Sequence, residues 1–262
     1  YNGGRALQFA GPVVRIDLDP EQMIRRTTPS VALVGDAAAT LTALDTALAR
    51  LDTPAGRTDG AARAAAMRVV WRTATRADLV PWLEAIESCL DDDTVVALDS
   101  TQLGYAAHTW LPAARPRAWL APYGFGTLGC ALPMAIGASL AAPGRGVVAL
   151  AGDGGWLFTV AEMAAAHDLA SNMVLLLWDN RGYAQIRQSF DDVDAPRMGV
   201  DVSSFDPCAI ARGFGWVATT VSAADGSCGT SSIRTWMAVI AHALSGTVKT
   251  SGTGGTAIAS AT

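Results

Sequence analysis

The stretch "GDGGWLFTVAEMAAAHDLASNMVLLLWDNRG", residues 152–182, decides the fold. It is entered through "GVVALAG" (146–152), an apolar and β-branched run, and it contains "MVLLLW" (173–178), a run of the same kind. Both read as buried parallel strands. Between them lies one helix. Thr159 and Glu162 make the Thr-x-x-Glu pattern of a capping box, so the helix is expected to begin at Val160 and run to about Leu169. Strand, loop, helix and strand in this order form a βαβ unit, with a right-handed crossover and parallel strands.

That geometry gives meaning to two polar residues. Asp153 falls just past the carboxyl end of the first strand and Asn180 just past that of the second. Both therefore face the sheet edge at which open α/β sheets bind ligands. One anionic and one neutral oxygen suit a hard divalent cation such as Mg2+, whose octahedron is completed by backbone carbonyls, water and substrate phosphates. Gly154 and Gly155 leave backbone N–H groups bare near the following helix start, which favours a phosphate. Gly-Asp-Gly is also a common turn and Asn-x-Gly an ordinary strand exit. Their conjunction at two strand ends, one crossover apart, points to a pair that clamps a metal holding a diphosphate.

Outward from this unit, "VVRIDLDP" (13–20) reads as a strand ending in a turn, and "VALVGDAAATLTALDTALARL" (31–51) as a strand, a Gly-Asp turn and a helix. Residues 1–51 are expected to be the end of an α/β domain that began upstream. Residues 52–75, rich in Ala, Arg, Gly and Thr without sustained periodicity, read as a linker with one possible helical turn. A second domain over 76–221 opens with a helix near 76–91 and the strand "TVVAL" (94–98), followed by a Gly-rich loop into a helix (124–142). Residues 222–262 turn to Ser, Thr, Gly and Ala and read as a disordered tail with one possible helix around 231–244.

Composition narrows the class. Half of the 262 residues are apolar and 16% are charged, enough for a real core in one large or two small domains. The net charge of −5 argues against nucleic acid as a partner. The apolar stretches at 129–142 and 173–178 are too short or too broken by Gly and Pro to span a bilayer, and no charged-then-apolar leader opens the chain. No membrane partner and a cytoplasmic location are expected. Cys89, Cys130, Cys208 and Cys228 are scattered, without a CxxC pair or a His at ligand spacing, and read as reduced thiols.

The order Gly-Asp-Gly, crossover, Asn and then Gly-Tyr resembles the cofactor motif of the thiamine-diphosphate-dependent enzymes, specifically the acetolactate synthase and 2-oxo acid decarboxylase superfamily. The resemblance implies a parallel-sheet α/β diphosphate-binding domain preceded by the end of a Rossmann-like middle domain. It implies thiamine diphosphate and Mg2+ as cofactors, with the Asp153 side chain, the Asn180 side chain and the Gly182 carbonyl on the metal. Gly152, Gly154, Gly155 and Tyr183 join the cofactor contacts. Asp179 stands where many members have a first Asn, a position that is not a direct ligand. "GFGTLGCALPMAIGASLA" (124–141) is similar to the segment in which a Gly carbonyl bonds the aminopyrimidine and a bulky residue two positions on props the cofactor into a bent form. Those roles fall on Gly126 and Leu128, the two catalytic assignments, with Thr127 between them. Such a wedge holds the exocyclic amine close to the thiazolium carbon. "DSTQLGYAAH" (99–108) matches the loop that reaches the diphosphate through Ser100, Thr101 and Gln102. His108 reads as an ordinary surface or capping histidine, with a place facing the pocket as the other option, and His167 reads as structural.

The segment "GYAQIRQSFDDVDAPRMGVD" (182–201) resembles the branch acting on 2-oxo acids with a guanidino tail, and Gln185 and Ile186 are expected in the substrate pocket. Asp191, Asp192 and Asp194 read as a solvated acidic turn, with complementing a cationic substrate as the other option. The resemblance covers about residues 10–221 and includes no pyrimidine-binding domain, which in the family carries the glutamate that protonates the cofactor ring across a dimer interface. A homodimer or homotetramer is expected for the full-length protein, and the isolated chain is expected to be inactive. Three functions stay open here: a 2-oxo acid decarboxylase or acetolactate-synthase-like carboligase, a non-catalytic fragment that binds Mg2+ and diphosphate, and an unrelated phosphate-binding α/β protein.

Overall fold

A computed structural model describes residues 9–25, 27–51, 59–169, 173–221 and 236–242. The chain divides into two units, Tyr1–Arg63 and Ala64–Thr262. In the first, strands β1 (Val14–Asp17) and β2 (Val31–Val34) pair in parallel, and helix α1 (Ala37–Leu48) follows. Asp36 caps α1 by accepting the Ala39 N–H at 2.9 Å, the Gly-Asp turn expected from sequence.

Helix α2 (Gly60–Thr73) occupies most of the stretch expected as a linker. This corrects the sequence reading. Its Ala-rich composition favours helix residue by residue, yet none of its residues is buried. A helix with no buried face leaves no apolar period in the sequence.

The rest of the chain runs α3 (Val80–Cys89), β3 (Val95–Leu98), α4 (Gln102–Trp110), β4 (Trp119–Leu120), α5 (Ala131–Ala141), β5 (Val147–Gly152), α6 (Asp153–Trp156) and α7 (Glu162–Asp168). It continues through β6 (Met173–Asp179), α8 (Ala184–Asp191), α9 (Pro207–Gly213), β7 (Val217–Val221) and β8 (Trp236–His242). One six-stranded sheet has the order β4-β3-β5-β6-β8-β7. Strands β4, β3, β5 and β6 are parallel neighbours, as the βαβ reading requires, with Val147 opposite Met173 and Gly152 opposite Trp178.

β8 departs from the expectations in two ways. It is a strand where a helix over 231–244 was expected, and it pairs antiparallel with both β6 and β7. Its run "WMAVIAH" has no sequence feature that separates a buried strand from a buried helix segment. Insertion between two strands decides it. The expected disorder over 222–235 and 243–262 lies outside the described residues.

Strand alternation sends side chains to opposite faces, and each face has its own core. Val95, Ala97, Ala149, Ala151, Leu175 and Leu177 pack with residues of α5, α7 and α9. Val96, Leu98, Leu150, Leu176 and Trp178 pack with α3 and α4. Each fully buried Val or Leu contributes about 1.5–3 kcal/mol. The sheet is therefore covered on both sides, and β3 and β5 are the neighbours at which the connections change direction. From β3 the chain crosses to β4 on one side, and from β4 it returns past β3 to β5 on the other. Ligands bind outside the carboxyl ends of strands at such a point.

The capping box is also corrected. α7 begins at Glu162 with Ala161 at its N-cap and no side-chain cap bond, and residues 153–156 form the short α6. The Thr159 hydroxyl instead donates to the Gly129 carbonyl at 2.8 Å, a tertiary partner that a local pattern cannot reveal. The cysteines among the described residues are free, with Cys89 exposed and Cys208 buried. No helix among the described residues is long and apolar enough to cross a membrane.

Candidate functional site

Three adjacent strands end at one place. Asp99 follows β3, with Ser100, Thr101 and Gln102 at the start of α4; Asp153 begins α6 directly after β5; Asn180 follows β6. A cavity of about 260 Å³ opens there. Ser100, Thr101 and Gln102 line it from the β3 end, and Gly126 and Leu128 from the loop before α5. Gly152, Asp153, Gly154 and Gly155 line it at the β5 exit, and Asn180, Gly182 and Tyr183 at the β6 exit. Gln185 and Ile186 close the list from the first turn of α8. Residues chosen from four separate stretches of sequence thus share one wall.

Thr127 is not among them. It is exposed, and its carbonyl accepts the Cys130 thiol at 3.3 Å. Sequence reasoning missed Tyr105 and Ala184, which also line the cavity. Tyr105 lies one helical turn after Gln102, so the spacing that puts both on one face was available. Asp191, Asp192 and Asp194 line nothing here: Asp191 forms a bidentate pair with Arg197 at 2.6 and 2.7 Å, and Asp192 accepts from Gln188. The acidic turn is a surface turn.

Asp153 is only 2% exposed. Its Oδ2 accepts the Gly182 N–H at 2.7 Å, tying the β5 exit to the β6 exit. Burial, and after it the negative charge of Asp179, pushes the Asp153 carboxyl up to about 6. The Asn180 Oδ1 is buried without a hydrogen-bond partner. An orphaned amide oxygen of this kind is costly, and a cation beside it removes the cost. A cation there also restores the ionised form of Asp153. A buried carboxylate, an amide oxygen and the Gly182 carbonyl in the same turn make an all-oxygen donor set that fits Mg2+.

The glycines are required by close neighbours. A Cβ on Gly154 would lie 2.6 Å from Tyr183 Cε1, and one on Gly155 would lie 2.7 Å from Asp99 Oδ2. Gly182 has a φ of 140° and pairs with Asp201, and a Cβ there would meet the Val200 carbonyl at 2.3 Å. Arg181 before it is also left-handed, at 58°. Arg187 holds this turn from α8 by donating to the Asn180 carbonyl at 2.8 Å and to Asp201 at 3.0 Å. Across the cavity, the Ser100 hydroxyl donates to the Gly126 carbonyl at 3.3 Å.

His108 is structural. Its Nδ1 accepts from Trp119 Nε1 at 2.9 Å and lies 3.0 Å from the Tyr123 hydroxyl, and burial lowers its pKa.

Residues 99–242 match the family described as thiamine pyrophosphate enzyme, C-terminal TPP binding domain. The chain is 39% identical over 214 residues to a probable 2-ketoarginine decarboxylase of Pseudomonas aeruginosa, covering 80% of this chain and 38% of that protein. It is 29% identical over 232 residues to a catabolic acetolactate synthase of Raoultella terrigena, covering 86% of this chain and 41% of the relative. Among solved structures, the thiamine diphosphate-dependent 4-hydroxybenzoylformate decarboxylase of Rhodococcus jostii RHA1 matches with a TM-score of 0.61 and 22% identity, over 78% of this chain and 38% of that one. This last likeness shows the fold. The chain spans about two fifths of the length of these relatives.

Proposed function

Because this chain belongs to the thiamine pyrophosphate enzymes, through their C-terminal cofactor-binding domain, we propose that it supplies the metal and diphosphate half of a site that decarboxylates a 2-oxo acid with a guanidino tail. The observation that carries the reading is the donor set at two neighbouring strand ends, where buried Asp153 after β5 shares the cavity with an Asn180 oxygen after β6 that has no hydrogen-bond partner. In this reading Asp153, Asn180 and the Gly182 carbonyl hold Mg2+. Ser100, Thr101, Gln102 and the turn Gly152–Gly155 receive the diphosphate, with Tyr183 packed against Gly154 to shape that turn.

Bound thiamine diphosphate supplies a nucleophilic thiazolium carbon and accepts the electron pair left behind by carbon dioxide. The chain's own residues do the positioning. Leu128 would prop the aminopyrimidine and the Gly126 carbonyl would accept from its amine, and the two together would hold the reacting groups at short range. Gln185 and Ile186 bound the substrate side. The resemblance to a 2-ketoarginine decarboxylase supports the guanidino branch. Acetolactate-synthase-type carboligation is the second reading, favoured by the Raoultella relative. We assign the full-length protein to the cytoplasm as a homodimer or homotetramer. Large apolar side chains left open, Phe125 at 96% and Phe158 at 66% exposed, support an assembly.

The test is titration with thiamine diphosphate in the presence and absence of Mg2+. Asp153→Ala abolishes Mg2+-dependent binding while the melting temperature stays close to that of the native chain. Tight Mg2+-dependent binding by that variant would remove Asp153 from the site. In the full-length protein, carbon dioxide released from a guanidino 2-oxo acid in preference to pyruvate supports the first reading, and acetolactate formed from pyruvate supports the second.

A further inference from the structure

Gly129 follows Leu128, and side chains from two different segments hold both polar groups of this residue. Its N–H donates to Asp99 Oδ2 at 2.7 Å, and its carbonyl accepts from the Thr159 hydroxyl at 2.8 Å. Asp99 is 3% exposed and does not line the cavity. Its other oxygen, Oδ1, accepts the Ser100 N–H at 2.8 Å and the Cys130 thiol at 3.8 Å. The carboxylate also abuts the β5 exit, since a Cβ on Gly155 would come within 2.7 Å of Oδ2. Asp99 is therefore the point at which the β3 exit, the loop before α5 and the β5 exit touch behind the cavity wall.

We propose that Asp99 and Thr159 are positioning residues that pin Gly129 from its two sides, and thereby set where Leu128 stands relative to the diphosphate loop at Ser100. The inference rests on the reading of Leu128 as the prop. Only a carboxylate meets the geometry at position 99. Two backbone N–H groups converge on its two oxygens, whereas an amide turns its NH2 toward one of those donors and leaves that donor buried without an acceptor. At position 159 the hydroxyl is the needed group, and valine keeps its shape without the bond.

The metal ligands proposed to anchor the diphosphate lie on the β5 and β6 exits, away from the loop that carries Leu128, so misplacing Leu128 acts mainly on the aminopyrimidine half of the cofactor. The experiment compares two probes, thiamine diphosphate and inorganic pyrophosphate, each titrated with Mg2+ into the full chain by calorimetry. Asp99→Asn and Thr159→Val each weaken thiamine diphosphate about tenfold and pyrophosphate less than about threefold. Leu128→Ala, the reference, shows the same selective loss. Melting curves without ligand establish that each variant is folded, and if Asp99→Asn does not fold, Thr159→Val decides alone. Unchanged binding of both probes, or an equal loss of both, overturns the positioning role while a selective loss in Leu128→Ala leaves the prop standing. If Leu128→Ala shows no selective loss, the prop reading falls and the positioning role falls with it.

Discussion

At the scale of single residues, the turn after β6 is the most constrained place in the chain. Gly182 combines a φ of 140° with a backbone carbonyl 2.3 Å from where a Cβ would stand, and its N–H is held by Asp153. Gly182→Ala is expected to cost about 1–3 kcal/mol in strain. It should also weaken Mg2+-dependent cofactor binding, because the Val200 contact pushes the turn off Asp153. Urea unfolding and a cofactor titration read the two effects separately. His108 gives a pH prediction. Burial lowers its pKa below the usual imidazole value, so on acidification the unfolded chain takes up a proton that the folded chain does not. Its contribution is complete above the unfolded pKa and is lost as pH falls below it. Protonating Nδ1 would also remove the acceptor for Trp119. The melting temperature should therefore drop more between neutral and mildly acidic pH for the native chain than for His108→Asn, which keeps an acceptor that does not titrate. Parallel curves for the two proteins would contradict this.

At the scale of elements, β5 and β6 form where their apolar runs predict, and α2 and β8 do not. The difference is burial. β5 and β6 are central and covered on both faces, so nearly every position is apolar and the run is visible. α2 buries nothing and has no period to read. The start of α7 shows a third case, in which a local signal is present but spent elsewhere: Thr159 bonds Gly129 rather than its own helix. The centrality of β6 carries its own prediction. Leu175 is 0% exposed and sits in the core beneath α5 and α7, so Leu175→Ala should destabilise the chain by about 2–5 kcal/mol. Chemical denaturation checks it, and a change under about 1 kcal/mol would mean that this face is less tightly packed than described.

At the scale of the whole molecule, every cavity-lining residue lies in the unit Ala64–Thr262. Asp153 is the carboxylate among those residues. The family resemblance calls for a second, a glutamate that protonates the cofactor ring, and none of the described lining residues supplies it. A polypeptide limited to these 262 residues is expected to release no carbon dioxide from 2-oxo acids when given thiamine diphosphate and Mg2+. Adding a polypeptide that carries a pyrimidine-binding domain of this family should restore release. Turnover by the chain alone would show that the ring is protonated by a residue present here.

The sequence by itself determined the βαβ unit, the strand ends that carry Asp153 and Asn180, and all but one of the residues nominated for the cavity. The strand ends are local features, a run of apolar residues followed by a polar one, and the other cavity residues were nominated through the family resemblance; both kinds of signal are written in order along the chain. Only the tertiary structure decided that α2 is a helix, that β8 enters the sheet antiparallel, and that Thr127 is left out of the wall while Tyr105 joins it. It also decided the role of Asp99, whose partners Gly129 and Cys130 lie 30 and 31 residues away. A buried carboxylate is recognised by the N–H groups that converge on it, and their convergence exists only once β3, β5 and the loop before α5 have packed together.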